Sequence, residues 1–332
     1  MAMIKSKIVT VLLWCLLAAL LVVGLRGAAE ISRFSNISLR FSQPICGQTA
    51  HRTRQYSIEC NGYNQFWPTF WHEGSAEFSA GVRTVQASAI SYSGNAALVW
   101  PGRYVAGSAP SSVDGNGVAV SEALAHSLWG SIDIVGMLVY VDDAPRIVRG
   151  VFEANGELAL LSFHIEDTQQ SWTAIELEGG TQHPTRSHAE SFAIASGLGR
   201  PDYMLMGGVI TLARFMPILP LIIAAIHLLV MLIGFMGKYY PAARMPVVFV
   251  GFILFAIAVP FLLNSLPPWI IPTHWSDFIF WQELLQQANA GLREFLGATP
   301  MLRDVELRLG LLKQAVVMVV ALCVCVYICA KN

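Results

Sequence analysis

The chain has 332 residues, of which 55% are hydrophobic and only 13% charged, with a net charge of −1. Soluble domains carry about 25% charged residues, so the composition excludes an all-aqueous protein and points to a membrane protein with a sizeable aqueous part. A net charge near zero offers no electrostatic footprint for nucleic acid, and no such partner is expected.

Four stretches approach the roughly 20 apolar residues needed to cross a bilayer, at 8–25, 215–236, 247–263 and 309–330. Gly27-Ala28-Ala29 offers small residues for signal cleavage. The apolar run before it exceeds the about 7–15 residues of a signal peptide, so residues 1–25 are expected to stay as an anchor. Lys5 and Lys7 precede the first stretch, Lys238 and Arg244 lie between the second and third, and Lys331 follows the fourth. An even number of crossings separates these sites, which predicts that all face the cytoplasm, both termini included. Residues 26–206 and 264–308 are then outside.

Within 26–206, short alternating runs at 83–92, 97–100, 118–120, 137–141, 147–152 and 173–177 predict strands. Windows at 121–129 and 189–197 predict helices, and Ser93-Gly94-Asn95 and Asn155-Gly156 predict turns. The mixture implies an α+β domain. In the outer loop 264–308, Pro267, Pro268 and Pro272 break the chain. Phe278, Trp281, Leu285, Ala288, Leu292 and Phe295 then recur at helical spacing, so an amphipathic helix is expected. It either lies on the outer membrane surface or packs as a cap on the bundle.

Cys46 and Cys60 fall in the outside domain, where a disulfide persists. A bond between them would close a loop of about 15 residues and contribute up to ~3 kcal/mol; the alternative is two buried free thiols. Cys15, Cys323, Cys325 and Cys329 lie in spans and read as packing residues. His183 and His188 flank a proline in a loop with no carboxylate at ligand spacing, so no metal is expected. His227 lies inside the second span, where a neutral imidazole bonded to a neighbouring helix is the expected state. The Gly234–Lys238 stretch lacks the spacing of a phosphate loop, and no GxSxG or HExxH pattern occurs. Neither a catalytic role nor a cofactor is expected. Asn36-Ile37-Ser38 fits the glycosylation sequon, a match common by chance.

The most informative stretch is 118–152, VAVSEALAHSLWGSIDIVGMLVYVDDAPRIVRGVF. It reads as strand, helix, turn, strand, turn, strand, with Ser121 as N-cap, Glu122 in the first turn and Leu124, Ala125 and Leu128 on one face. Trp129-Gly130 ends the helix and Asp142-Asp143 makes the second turn. This run resembles the extracytoplasmic core domain of MacB-type, FtsX-like permeases of the ATP-binding cassette superfamily. Ser121, Glu122, Leu124, Ala125, Leu128, Gly130, Asp133, Val135, Gly136, Val148, Gly150 and Val151 match its most recognisable segment. Pro101-Gly102-Arg103-Tyr104, with Gly107 behind it, resembles the segment that precedes it. The resemblance is specific over about residues 85–155.

The resemblance implies an α+β extracytoplasmic domain, MacB-like in its core, inserted after the first of four transmembrane α-helices. The layout is then an anchor at 1–25, the core domain at 26–206 and a three-helix membrane region at 207–332. It also implies a dimeric membrane subunit in a bacterial cell membrane, driven by a cytoplasmic ATPase. In the family, closure of the ATPase dimer passes through the helices to the outer domain rather than opening a substrate channel. Tyr239, Tyr240 and Arg244, in the cytoplasmic link, are residue types enriched at binding hot spots and are the expected ATPase contact; the alternative is a tight turn with interfacial tyrosines. Two features depart from the family: the 237–246 link is too short for its coupling helix, and the 264–308 loop is longer than its usual connection. A non-transporting binding, sensing or scaffold protein that keeps the outer domain is therefore the second expectation.

Overall fold

The computed structural model describes residues 2–34, 37–60, 65–111, 113–164, 167, 169–179, 186–205, 208–239, 245–246, 248–253, 256 and 278–331. The chain divides into two compact units. A sheet unit comprises Phe34–Gly207 with Arg293–Val305; a helical unit comprises Met1–Arg33, Gly208–Leu292 and Glu306–Asn332. Residues 293–305, part of the outer loop by sequence, thus fold with the sheet.

The sheet unit is built from β1 (Ile37–Cys46), α2 (Gly47–Glu59), β2 (Phe66–Ala80), β3 (Arg83–Ser93), α3 (Ala96–Val99), β4 (Tyr104–Gly107), β5 (Gly117–Ser121) and α4 (Glu122–Trp129). It continues with β6 (Leu138–Val141), β7 (Ala144–Phe152), β8 (Leu158–Ser162), β9 (Ser171–Gly179), α5 (Arg186–Ala195) and β10 (Tyr203–Leu205). The strands form one sheet in the order β10-β1-β9-β2-β3-β8-β5-β7-β4, and β6 bridges β2 and β7. That bridge closes a hydrogen-bonded circuit β2-β3-β8-β5-β7-β6. Alternate side chains along these strands meet inside it: Phe78, Ala87, Val118, Val120, Val139, Val141, Val148 and Leu161. Leu124, Ala125 and Leu128 of α4 fill the same core. Small closed sheets are packed in this way, with side chains rather than a channel inside.

The four strands at the other end bury Ile37, Leu39, Phe66, Phe70, Ile175 and Leu177 beneath α2 and α5, which contribute Ala50, Ala189, Phe192 and Ala193. On the opposite face Trp71 and Ala174 join a third core with Ile90, Tyr92 and Phe152, against which Met301 and Leu302 pack.

The α+β expectation holds. The 97–100 stretch is a correction: it is the short helix α3, whose start is capped by Asn95, with Oδ1 accepting from the Ala97 N–H at 3.1 Å. An apolar run this short fits strand and helix periodicity equally.

In the helical unit, α1 (Ala2–Ile31) and α7 (Ile218–Tyr239), with the short α6 (Gly208–Phe215) before α7, accompany a final helix, Leu302–Lys331, whose first residues to Val305 belong to the sheet unit. Among the described residues three helices are long and apolar enough to cross a membrane: Ile8–Phe34, Ala213–Phe235 and Leu302–Lys331. Most of the expected 247–263 span lies outside the described residues. Leu17, Ala224, Met318, Ala321, Cys325 and Ile328 form the core of this unit. A Cβ at Gly24 would collide with the Met318 side chain, and the neighbouring Gln314 Nε2 donates to the Gly24 carbonyl at 2.9 Å. Such close approach at a small residue is how membrane helices pack without a hydrophobic drive between them. The expected outer-loop helix is present as Phe278–Gly297, with Phe295 buried and Phe278, Leu285, Leu292 and Leu296 exposed.

Candidate functional site

The matched run occupies β5, α4, β6 and β7, and each of its special residues has a structural task. Ser121 is fully buried at the point where β5 becomes α4. Its Oγ accepts from the Leu124 N–H at 3.2 Å and from the Leu158 N–H at 3.0 Å, so one hydroxyl caps the helix and ties it to β8. Gly130 ends the helix in the left-handed region at φ +73°, where a side chain would be strained. Asp142 and Asp143 turn between β6 and β7 with φ of +46° and +65°. Asp142 Oδ1 also accepts from the Glu77 N–H at 2.9 Å, fixing the turn to β2. Gly107 and Gly150 pair across β4 and β7. A Cβ on Gly107 would run into the Arg149 carbonyl, and one on Gly150 would sit 2.5 Å from the Ser108 carbonyl. The two glycines allow a strand contact that no larger residue permits.

The densest polar chemistry lies elsewhere, on the β1-β9-β2 face. Alternation along β1 turns Ile37 and Leu39 to the α2/α5 core and Ser38 and Arg40 to the other side. Glu176 on β9 faces the same way and is 0% exposed. It accepts from Ser38 Oγ at 2.6 Å, Trp71 Nε1 at 3.1 Å, Arg303 at 3.1 Å and Arg40 at 3.4 Å. Arg40 also donates to Asp304 at 2.9 Å and lies 4.6 Å over the Trp71 ring. Arg40, Arg303 and Asp304 are 6%, 2% and 2% exposed, so two cations and two anions are buried together. Glu73 Oε2 on β2 accepts from the Leu302 N–H at 2.6 Å, and Asp304 Oδ2 from the Met301 N–H at 3.2 Å. The first turn of the final helix is therefore capped from the sheet as well as by its own aspartate. Burial pushes the Glu73 carboxyl above its usual value and the Asp304 charge adds to this, while the Leu302 N–H and Arg40 oppose it. The charges of 293–305 carry no sequence signal of burial, because their partners lie more than a hundred residues away.

The sequence-predicted sites fare differently. Cys46 and Cys60 are free thiols that stand as the N-cap and C-cap of α2. A 13-residue helix separates them by about 20 Å, against the at most ~7 Å between α-carbons that a disulfide spans. The expected intramolecular bond is thus corrected to two free cysteines. The Cys46 thiol is drawn below its usual value, chiefly by the Thr49 hydroxyl 3.3 Å away. Tyr239 ends α7, whereas Tyr240 and Arg244 lie outside the described residues. His227 stacks on Trp14 of α1 with ring centroids 6.0 Å apart. His183 and Asn36 lie outside the described residues, and Ser38 of the sequon is buried on Glu176. Among the described residues no three His, Cys, Asp or Glu side chains converge as a metal site would require.

No family model matches the chain, and no curated protein matches it. Among solved structures it is similar to the periplasmic region of MacB from Actinobacillus actinomycetemcomitans, at 12% identity and a TM-score of 0.43, over 53% of this chain and 90% of that one. It is also similar to the extracellular domain of the noncanonic ABC-type transporter YknZ from Gram-positive bacteria, at 11% identity and a TM-score of 0.40, over 48% of this chain and 91% of that one.

Proposed function

We propose that the chain is the membrane subunit of an ABC-type transporter of the MacB/FtsX-like class, coupling a cytoplasmic ATPase to an extracytoplasmic sheet domain. The observation that carries this reading is the 118–152 run. Its matched residues occupy the positions where the closed strand circuit needs a cap, a left-handed stop and a close strand approach. Membrane-length helices on both sides of the sheet unit in the chain support it. Both termini are cytoplasmic in this reading, the subunit works as a dimer, and Tyr239, Tyr240 and Arg244 meet the ATPase. Purification in mild detergent, with partners identified by mass spectrometry, should recover an ATP-binding subunit. Replacing Tyr239, Tyr240 and Arg244 together with alanine should abolish its recovery while leaving membrane insertion intact. In a chain with Cys46 and Cys60 replaced by serine, cysteines placed at Ser111 or Gln287 should react with an impermeant reagent in intact cells, and one at Ala242 only after permeabilisation.

The short 237–246 link favours a second reading, an accessory or sensing protein that retains the outer domain without an ATPase of its own. Wild-type protein that captures no ATP-binding subunit would put that reading first.

A further inference from the structure

We infer that the buried charge cluster is an all-or-none latch that makes the start of the final helix a structural part of the sheet. Three kinds of contact hold it. Met301 and Leu302 pack into the core beside Trp71 and Tyr92. Glu73 on β2 holds the Leu302 N–H, a donor that the helix itself leaves unsatisfied. Arg303 and Asp304 complete a set of four buried charges with Glu176 and Arg40.

The chemistry decides how such a joint opens. A buried ion pair adds little net stability over a well-packed apolar pair, but separating it inside the protein strands a charge in a poor solvent. A small slide or rotation of the helix start would part Arg303 from Glu176 and Asp304 from Arg40 at once, before water could reach either. Partial displacement is thus the costliest state, and the helix start is either fully docked or fully released. An apolar contact alone would permit graded sliding. Arg186 of α5 adds an outer tie at 2.9 Å to Glu294 in the same segment. The final helix runs without interruption from this joint through Lys331.

Amide hydrogen exchange of the full chain in lipid nanodiscs tests the latch independently of any ATPase. In the wild type, amides of 301–305 should open together with those of 38–40 and 174–177, along one common dependence on denaturant. Separate opening of 301–305 at low denaturant overturns the inference and needs no variant. In Glu176→Gln and Arg303→Met, exchange at 301–305 should rise on the order of 100-fold or more, the cost of leaving the buried set with one charge unbalanced. The α4 amides should keep their protection and report that the fold survives. The double variant Glu176→Gln, Arg303→Met should recover most of the lost protection, because the remaining Arg40–Asp304 pair is balanced and the glutamine oxygen still accepts from Ser38 and Trp71. Single variants that leave 301–305 as protected as in the wild type would show that apolar packing alone holds the segment, and the latch is wrong. Failure of the permease reading would appear only in the ATPase capture.

Discussion

Replacing Ser121 with alanine removes one oxygen and should cost far more than a surface serine. The hydroxyl is fully buried and is the acceptor for two backbone N–H groups, Leu124 in the first turn of α4 and Leu158 at the start of β8. Loss of an N-cap costs about 1 kcal/mol. A buried N–H left without an acceptor costs roughly a further 1–3 kcal/mol, since alanine leaves no room for a replacing water. The sum is about 2–4 kcal/mol, a large share of the roughly 5–15 kcal/mol that holds a domain together. For a domain of about 150–250 residues this lowers the unfolding midpoint by roughly 5–15 °C. Thermal unfolding of the detergent-solubilised chain, followed by near-ultraviolet circular dichroism, would measure it. Ser131→Ala is the internal control, because its Oγ accepts the Asp133 N–H in an exposed turn where water can take over. It should shift the midpoint by no more than about 2 °C. An equal, small effect of both substitutions would refute the account of Ser121 as a buried double acceptor.

Two further outcomes follow from the same physics. Asp143→Gly should raise the midpoint by about 1–3 °C, since glycine adopts φ +65° without strain; Asp142→Gly should not, because it also loses the bond to the Glu77 N–H. His72 Nδ1 is buried without a partner among the described residues, its ring against Trp172, and burial lowers its pKa from 6.5. The unfolded chain therefore binds the extra proton first, so stability is full above about pH 6.5 and declines as the pH falls below it. His72→Phe should flatten that decline in a pH series of thermal midpoints, and an unchanged acid limb would count against it.

The legible part of the chain was the part whose local chemistry is self-sufficient. Ser121, Gly130 and the Asp142-Asp143 pair announce a cap, a stop and a turn without help from distant residues, and the structure places them so. Other elements hide for physical reasons. The helix α2, GQTAHRTRQYSIE, is too polar to show an apolar stripe, and this is why Cys46 and Cys60 read as neighbours across a loop. In β2, Pro68 and Gly74 break the strand signal, although its register with β3 runs unbroken from Phe70 to Ala80. Glu176 stands between Ile175 and Leu177, and that alternation ordinarily marks a strand with one wet face. Trp71, Arg40 and the distant segment that brings Met301, Leu302, Arg303 and Asp304 together make that face dry.

That same fact gives one account of two features that look unrelated in sequence. The 264–308 loop is longer than the connection usual in the family the chain resembles, and its charges appear balanced and unremarkable. The structure spends the end of that length on 293–305, which supplies Arg303 and Asp304 to the sheet and Met301 and Leu302 to its core. A connection of the usual short kind would have no residues to give. Without them Arg40 and Glu176 would be left facing each other at 3.4 Å, the longest of the cluster's three ion pairs, and Arg40 would lose Asp304 altogether. Those two strand residues are thus suited to this chain's long loop and not to a shorter one. The 237–246 link moves in the opposite direction, shorter than the family's where an ATPase would be met. Together the two departures shift structure from the cytoplasmic side of the proposed permease to its outer side. The reading of this chain therefore turns on whether the short link still captures an ATPase, while the latch stands on the sheet unit alone.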